Sequence, residues 1–147
     1  MTKTSTKRKA APLAKAGDAK TGATKSAGAT ILVIDDEPYL VSSLIAFLQY
    51  EGYVTLSAFS GEDGLEILKA NQVDLVLLDI MLPGLSGIDI LMEIRAEHAY
   101  AALPVVLMSG SPLPAKQPVI WDVFLPKVFG FDDLSRVVAR LIPTSKR

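Results

Sequence analysis

Residues 74–84 read Asp-Leu-Val-Leu-Leu-Asp-Ile-Met-Leu-Pro-Gly and decide the fold. An apolar run of strand length ends at Asp79, and Pro83-Gly84 predicts a turn soon afterwards. A run that is apolar at consecutive positions is typical of a central parallel strand covered on both faces. Asp79 would then stand at the carboxyl end of that strand, where open α/β sheets bind their ligands. Taken alone, the stretch also fits an aspartate that merely accepts hydrogen bonds from the turn.

Strand and helix patterns alternate on both sides of this segment. Apolar and β-branched runs predict strands, and apolar residues at helical spacing predict the helices between them. The other predicted strands are residues 31–34, 54–58, 104–108 and 123–125, and the helices begin near Pro38, Ser60, Ser86 and Asp132. Such alternation implies right-handed crossovers and a parallel sheet. The predicted fold is α/β, a flavodoxin-like doubly wound five-stranded parallel sheet with helices on both faces.

Composition excludes several classes of function. The chain has 147 residues, of which 50% are apolar and 21% charged, as expected for one globular domain. It has no cysteine, which excludes disulfides, thiolate catalysis and cysteine-ligated zinc, and its single histidine, His98, excludes a multi-histidine metal site. No apolar run reaches the roughly 18 residues of a membrane span. We therefore expect a cytoplasmic protein without a membrane partner.

Charge divides the chain into a basic arm and an acidic domain. Residues 1–30 carry a net charge of +6, whereas the remaining residues carry −7. The arm has almost no large apolar side chain, so we expect it to be disordered. It could contact nucleic acid or an acidic partner, or it could be a solvated tether or the product of a wrongly assigned start site. The predicted organisation is an arm at 1–30, a domain at 31–142 and a tail at 143–147.

Four of the five predicted strands end at a polar group on the same edge of the sheet. These groups are Asp35-Asp36, Asp79, Ser109 and Lys127. Three carboxylates close together repel one another and need a cation, and oxygen ligands alone favour Mg²⁺. Lys127 adds a second positive charge and Ser109 a hydrogen-bond donor, which together suit phosphoryl transfer. The most central carboxylate, Asp79, is the predicted phosphoryl acceptor.

Together these motifs resemble the receiver domain of response regulators, the CheY-like superfamily. The resemblance spans residues 31–142 and is carried by Asp35-Asp36, residues 79–87, Ser109-Gly110 and Phe124-x-x-Lys127. It implies a receiver in two-component signal transduction. Because residues 143–147 are too few for a DNA-binding module, we expect a stand-alone receiver without an output domain. Such a receiver takes a phosphoryl group from a phosphohistidine on a sensor histidine kinase or a histidine phosphotransfer protein. It then switches its binding to a downstream protein or relays the phosphate onward.

The resemblance also implies a metal-binding set. Asp36, together with Asp79 and the backbone carbonyl of Met81, would hold Mg²⁺, and Asp35 would act through water. The alternative for Asp35 and Asp36 is that they only cap the following helix.

The remaining site residues would handle the phosphoryl group and the switch. By resemblance, Lys127 would pair with the carboxylate and then with the phosphoryl oxygens. Ser109 would swing toward the phosphoryl group, and Phe124 would turn inward. The receiver would thus catalyse only its own phosphorylation and dephosphorylation. Each residue also has a simpler alternative. Lys127 could be a solvated loop lysine, Ser109 could belong to a turn, and Phe124 could be an ordinary core residue.

The stretch between the fourth strand and Lys127 departs from the family. Only 18 positions separate Ser109 from Lys127, fewer than in most receivers, and proline disfavours a helix interior. The prolines are Pro112, Pro114 and Pro118. We therefore expect the fourth helix, which would follow the fourth strand, to be short or irregular, which puts the usual output face in doubt. Trp121 would either fill the space of this helix or bind a partner.

The lysine loop departs as well. Receivers usually have proline after this lysine, often with a cis bond, whereas Pro126 precedes Lys127 and Val128 follows it. A cis bond without proline costs about 2.5 to 4 kcal/mol, so we expect Lys127–Val128 to be trans.

Three other functions remain open. The domain could be a protein-binding module that works without phosphorylation, or a nucleic-acid-associated regulator that acts through residues 1–30. A metal-dependent phosphatase of similar topology matches less well, because Met81 occupies the place of its second acid.

Overall fold

The computed structural model describes residues 28–113, 115–116 and 118–143. Most of the predicted basic arm, residues 1–27, and residues 144–147 of the tail lie outside this part of the chain. The range assigned to the arm overlaps the domain slightly, since the first strand starts at Thr30 and Ala29 is buried.

The core of the molecule is one five-stranded sheet in which every pair of neighbouring strands is parallel. The strand order is β2-β1-β3-β4-β5, which confirms the predicted doubly wound fold. The strands are β1 (Thr30–Ile34), β2 (Val54–Ala58), β3 (Leu75–Asp79), β4 (Val105–Ser109) and β5 (Val123–Pro126). All residues of β3 and β4 are buried, which explains their unbroken apolar sequence.

Helices cover both faces of the sheet. They are α1 (Pro38–Tyr50), α2 (Gly61–Ala70), α3 (Gly87–Ala96) and α4 (Phe131–Leu141), with a short 3-10 helix at His98–Tyr100. Helices α1 and α4 pack on one face with one apolar cluster, and α2 and α3 pack on the other. None of the helices among the described residues is long and apolar enough to cross a membrane.

The helix ends follow the signals in the sequence. Gly52, just after α1, has φ of 100°, a left-handed conformation that ends the helix. Ser60 accepts a hydrogen bond from the backbone N–H of Asp63 at the start of α2. Ser86 and Asp89 form a complete capping box on α3, so the turn after Asp79 leads directly into a fixed helix.

The stretch between β4 and β5 is irregular, as its prolines predict. None of its described residues, 110–113, 115–116 and 118–122, is helical. Leu113, Ile120 and Trp121 pack against the apolar cluster of α2 and α3 and take the place of a helix there. Trp121 is thus partly buried, which is compatible with the first of its two expected roles, filling this space.

Arg95, in the last turn of α3, fastens this irregular stretch. Its guanidinium donates hydrogen bonds to the carbonyl oxygens of Ile120, Tyr100 and Leu103 at 2.8, 3.0 and 2.7 Å. It also donates to the carboxylate of Asp122 at 3.0 Å. One side chain therefore joins α3 to the loops on either side of β4.

Candidate functional site

The parallel sheet brings the predicted polar groups to one edge. Asp79 and Ser109 are the last residues of β3 and β4, Asp35 follows β1, and Lys127 follows β5. Asp35, Asp79 and Ser109 are the buried polar residues of the described chain, with exposures of 0, 1 and 2%. Side chains of this kind are buried only where they have partners or a function. These polar groups therefore lie together at one edge of the sheet, as the positions of the strand ends in the sequence predict.

Lys127 connects the carboxylates. Its Nζ lies 3.0 Å from Asp35 Oδ2, 3.1 Å from Glu37 Oε1 and 3.2 Å from Asp79 Oδ2. Its side chain is only 17% exposed, so Lys127 is not a solvated loop lysine. No peptide bond between described residues is cis, so Lys127–Val128 is trans as expected.

Glu37 is a member of the site that the sequence analysis missed. Its carboxylate accepts a hydrogen bond from Lys127, although its side chain is 63% exposed. The available signal was the run Asp35-Asp36-Glu37, in which a third acid directly follows the predicted pair.

Asp35, Asp36 and Asp79 form the acidic cluster. Each offers a carboxylate oxygen, and the three oxygens lie within 4.8 Å of one another. Asp35 Oδ1 accepts the backbone N–H of Glu37 at 3.0 Å, so this side chain also supports the entry to α1. Asp35 Oδ2 is buried, and within the described chain its polar contact is the ion pair with Lys127 at 3.0 Å.

This cluster fits a small hard cation. Three carboxylate oxygens within 4.8 Å of one another repel, two of them from buried side chains, and a cation would relieve that repulsion beyond what Lys127 supplies. All available donors are oxygens, the ligands that Mg²⁺ prefers. Asp36 and Met81 line the same open groove beside the cluster.

The charges of the site are strongly coupled. Burial raises the pKa of Asp79 above its ordinary value and the charge of Asp35 raises it further, while the Met81 N–H and Lys127 oppose this. For Lys127, burial lowers the pKa, but the contacts with Asp35 and Glu37 and the charge of Asp79 outweigh burial and raise it overall. Lys127 therefore stays protonated.

Ser109 and Phe124, the predicted switch residues, lie on neighbouring strands. Ser109 Oγ accepts the backbone N–H of Ser111 at 3.0 Å, so it does support a turn. Its hydroxyl proton remains available for donation, because that bond uses only an oxygen lone pair. Phe124 is partly buried against the cluster of α2 and α3. Its surroundings are compatible with both a core role and a switching role.

The comparisons with known proteins agree with this geometry. The sequence profile of the response regulator receiver domain matches residues 31–139. The response regulator TrrA from Thermotoga maritima, solved in complex with Mg²⁺-BeF, is 34% identical with a TM-score of 0.72, and the match covers 78% of this chain and 99% of TrrA. The chain therefore belongs to the response regulator receiver domain family, a signalling family of two-component systems.

Curated relatives are longer than the matched region. The DNA-binding response regulator MtrA from Mycolicibacterium smegmatis is 38% identical over 70% of this chain and 41% of its own length. The probable transcriptional regulatory protein TcrX from Mycobacterium tuberculosis is 39% identical over 55% of this chain and 34% of its own length. The match thus spans about a third to two fifths of these relatives.

Proposed function

We propose that Asp79 accepts a phosphoryl group from a phosphohistidine, in a reaction that depends on Mg²⁺. The observation that carries the proposal is the contact of Lys127 with Asp79, at 3.2 Å, in a cluster where the carboxylates of Asp35 and Asp79 are buried. A protonated lysine beside an almost fully buried acceptor carboxylate provides the positioning and charge that phosphoryl transfer requires.

The chain's own residues act as follows. A carboxylate oxygen of Asp79 attacks phosphorus, and the bond from phosphorus to the histidine nitrogen breaks, leaving its electron pair on that nitrogen. The Met81 N–H, which donates to Asp79 Oδ1 at 3.2 Å, orients the carboxylate. Lys127 and the hydroxyl of Ser109 then donate to the phosphoryl oxygens. Loss of the phosphoryl group to water at the same place returns the carboxylate.

Asp36, Asp79 and the Met81 carbonyl are the proposed ligands of Mg²⁺, with Asp35 acting through water. When bound, the ion supplies positive charge to the phosphoryl oxygens. The close approach of the three carboxylates and the Mg²⁺-BeF complex of TrrA support this assignment.

The proposed partner is a sensor histidine kinase or a histidine phosphotransfer protein. TrrA, 33% identical with a TM-score of 0.68 over 78% of this chain and 99% of TrrA, has been solved in complex with the histidine kinase ThkA. The signal then leaves by a switch through Ser109 and Phe124 or by relay of the phosphate. The proposed location is the cytoplasm, which suits an acidic domain without cysteine.

The test is phosphoryl uptake from acetyl phosphate, followed by intact mass. We expect the parent to gain one phosphoryl group with Mg²⁺ and none with a chelator, and Asp79→Asn to gain none. Asp74→Asn is the matched control, because Asp74 immediately precedes β3 and its carboxylate accepts the N–H of Thr30 at 2.8 Å. This control should be phosphorylated like the parent.

A folded parent that gains no mass with Mg²⁺ would overturn the proposal. The domain would then be better described as a protein-binding module that works without phosphorylation. The same result in Asp74→Asn alone would indicate only a folding defect at the start of β3.

A further inference from the structure

The ammonium group of Lys127 contacts three carboxylates that differ in their exposure to solvent. The ammonium has three protons, and the three carboxylates lie within 3.2 Å of it. Asp35 and Asp79 are buried, whereas the Glu37 side chain is 63% exposed and lies at the rim. The contact with Glu37 is therefore the one that water can most readily replace.

Glu37 is held where it can reach the lysine. It is the N-cap residue of α1, directly before Pro38, and its backbone N–H donates to Asp35 Oδ1 at 3.0 Å. Its own side chain makes no capping hydrogen bond. The carboxylate is thus free of helix capping and is bound to Lys127 instead.

We propose that Glu37 is a positioning residue that holds Lys127 back in the unphosphorylated protein and thereby slows phosphoryl acceptance. This inference rests on the proposed function of Asp79. The attack on phosphorus and the departure of the leaving group are unchanged, and no proton is transferred through Glu37.

The reason is differential stabilisation. When phosphoryl oxygens arrive beside Asp79, the ammonium of Lys127 has new acceptors, and its hydrogen bond to Glu37 must weaken. An interaction that is stronger in the ground state than in the transition state raises the barrier. Because the Glu37 partner is largely exposed, release of the contact changes the rate by only about two- to five-fold.

Hydrolysis of the acylphosphate should not show this effect. Once Asp79 is phosphorylated, Lys127 already faces the phosphoryl oxygens, both before and during attack by water. The contact with Glu37 is then absent from both states and does not alter their difference. A purely structural role of Glu37 would instead change both rates.

The experiment uses the full chain with acetyl phosphate and saturating Mg²⁺. The uptake rate constant and the rate of phosphoryl loss are measured for the parent, Glu37→Gln, Glu37→Asp and Glu66→Gln. Glu37→Asp keeps the charge but shortens the reach to Lys127. Glu66 is an exposed acid on α2 and serves as the control for net charge. Melting curves establish that each variant is folded, as expected for exposed positions.

We expect both Glu37 variants to take up the phosphoryl group about two- to five-fold faster than the parent and to lose it at the same rate as the parent. Glu66→Gln should match the parent in both rates. The inference is overturned if Glu37→Gln is not faster, or if Glu37→Asp behaves like the parent, which would point to charge alone. It is also overturned if Glu66→Gln is equally fast. A parent that takes up no phosphoryl group would remove the proposed function as well, so the two failures are distinguishable.

Discussion

At the scale of single residues, Asp79 illustrates a conflict between function and stability. Its carboxylate is almost fully buried, and burial and the charge of Asp35 raise its pKa. Without Mg²⁺, we expect Asp79→Asn to raise the free energy of unfolding at neutral pH, because the amide removes a buried charge that burial and Asp35 disfavour. Urea unfolding in the presence of a chelator measures the difference.

The pH dependence of this difference has a definite sign. Because the pKa of Asp79 is raised in the folded state, the parent loses stability as pH rises from the ordinary range of aspartate through the folded pKa. Asp79→Asn lacks this loss, so the gap between the two proteins should widen over that window and close below it. A parent that is the more stable protein at neutral pH would contradict the account.

Part of the site could be predicted from the sequence at this scale. The strand patterns predict where β1, β3 and β5 end, and Lys127 directly follows β5. Parallel pairing then brings these strand ends together. Glu37 could not be placed in the same way, because the direction of a long, exposed side chain is not fixed by a backbone pattern. The hydrogen bond from Ser111 to Ser109 likewise depends on a turn that the sequence leaves open.

At the scale of secondary-structure elements, Arg95 fastens the stretch between β4 and β5, whose described residues form no helix. Arg95→Lys should lower the free energy of unfolding by about 2 kcal/mol, because a lysine cannot reach three carbonyl oxygens and Asp122 together. We also expect faster hydrogen exchange at the amide of Asp122, which donates to Val105 O at 2.9 Å.

Arg136→Lys on α4 is the matched control for this prediction. Arg136 is 72% exposed and pairs with Asp133 one turn earlier on the same helix. Its replacement should change stability by less than about 0.5 kcal/mol. If Arg95→Lys is as mild as this control, Arg95 does not fasten the irregular stretch.

The helices and strands themselves were largely predictable, because signals in the nearby sequence determine where they begin and end. Helical spacing, the Ser86–Asp89 cap and Gly52 fix where helices begin and end. The prolines indicated that the stretch after β4 is irregular. The role of Arg95 could not be predicted, because within α3 it is an ordinary residue of the last turn, and its partners lie 5 to 27 positions away.

At the scale of the whole molecule, the question is how far a charge change at Asp79 travels. Ser109 O accepts the N–H of Lys127 at 2.8 Å, so the ends of β4 and β5 are coupled to the site. Ile120 and Asp122, by contrast, are held by Arg95 on α3. We expect beryllofluoride with Mg²⁺ to alter hydrogen exchange at Ser111 and Lys127, but not at Asp122.

Either departure from this pattern is informative. Unchanged exchange throughout, with beryllofluoride demonstrably bound, would favour a binding module that does not respond to phosphorylation. A change that includes Asp122 would show that the irregular stretch moves as a unit despite Arg95, as a signalling helix would.

The proposed role of Asp79 as the phosphoryl acceptor can be tested by locating the phosphoryl group in the sequence. After reaction with acetyl phosphate and Mg²⁺, borohydride reduction converts an aspartyl phosphate to homoserine, which peptide mass spectrometry can place in the sequence. We predict homoserine at position 79 alone. Homoserine at Asp35 or Asp36 instead, or at no position in a protein that has gained phosphoryl mass, would contradict the account.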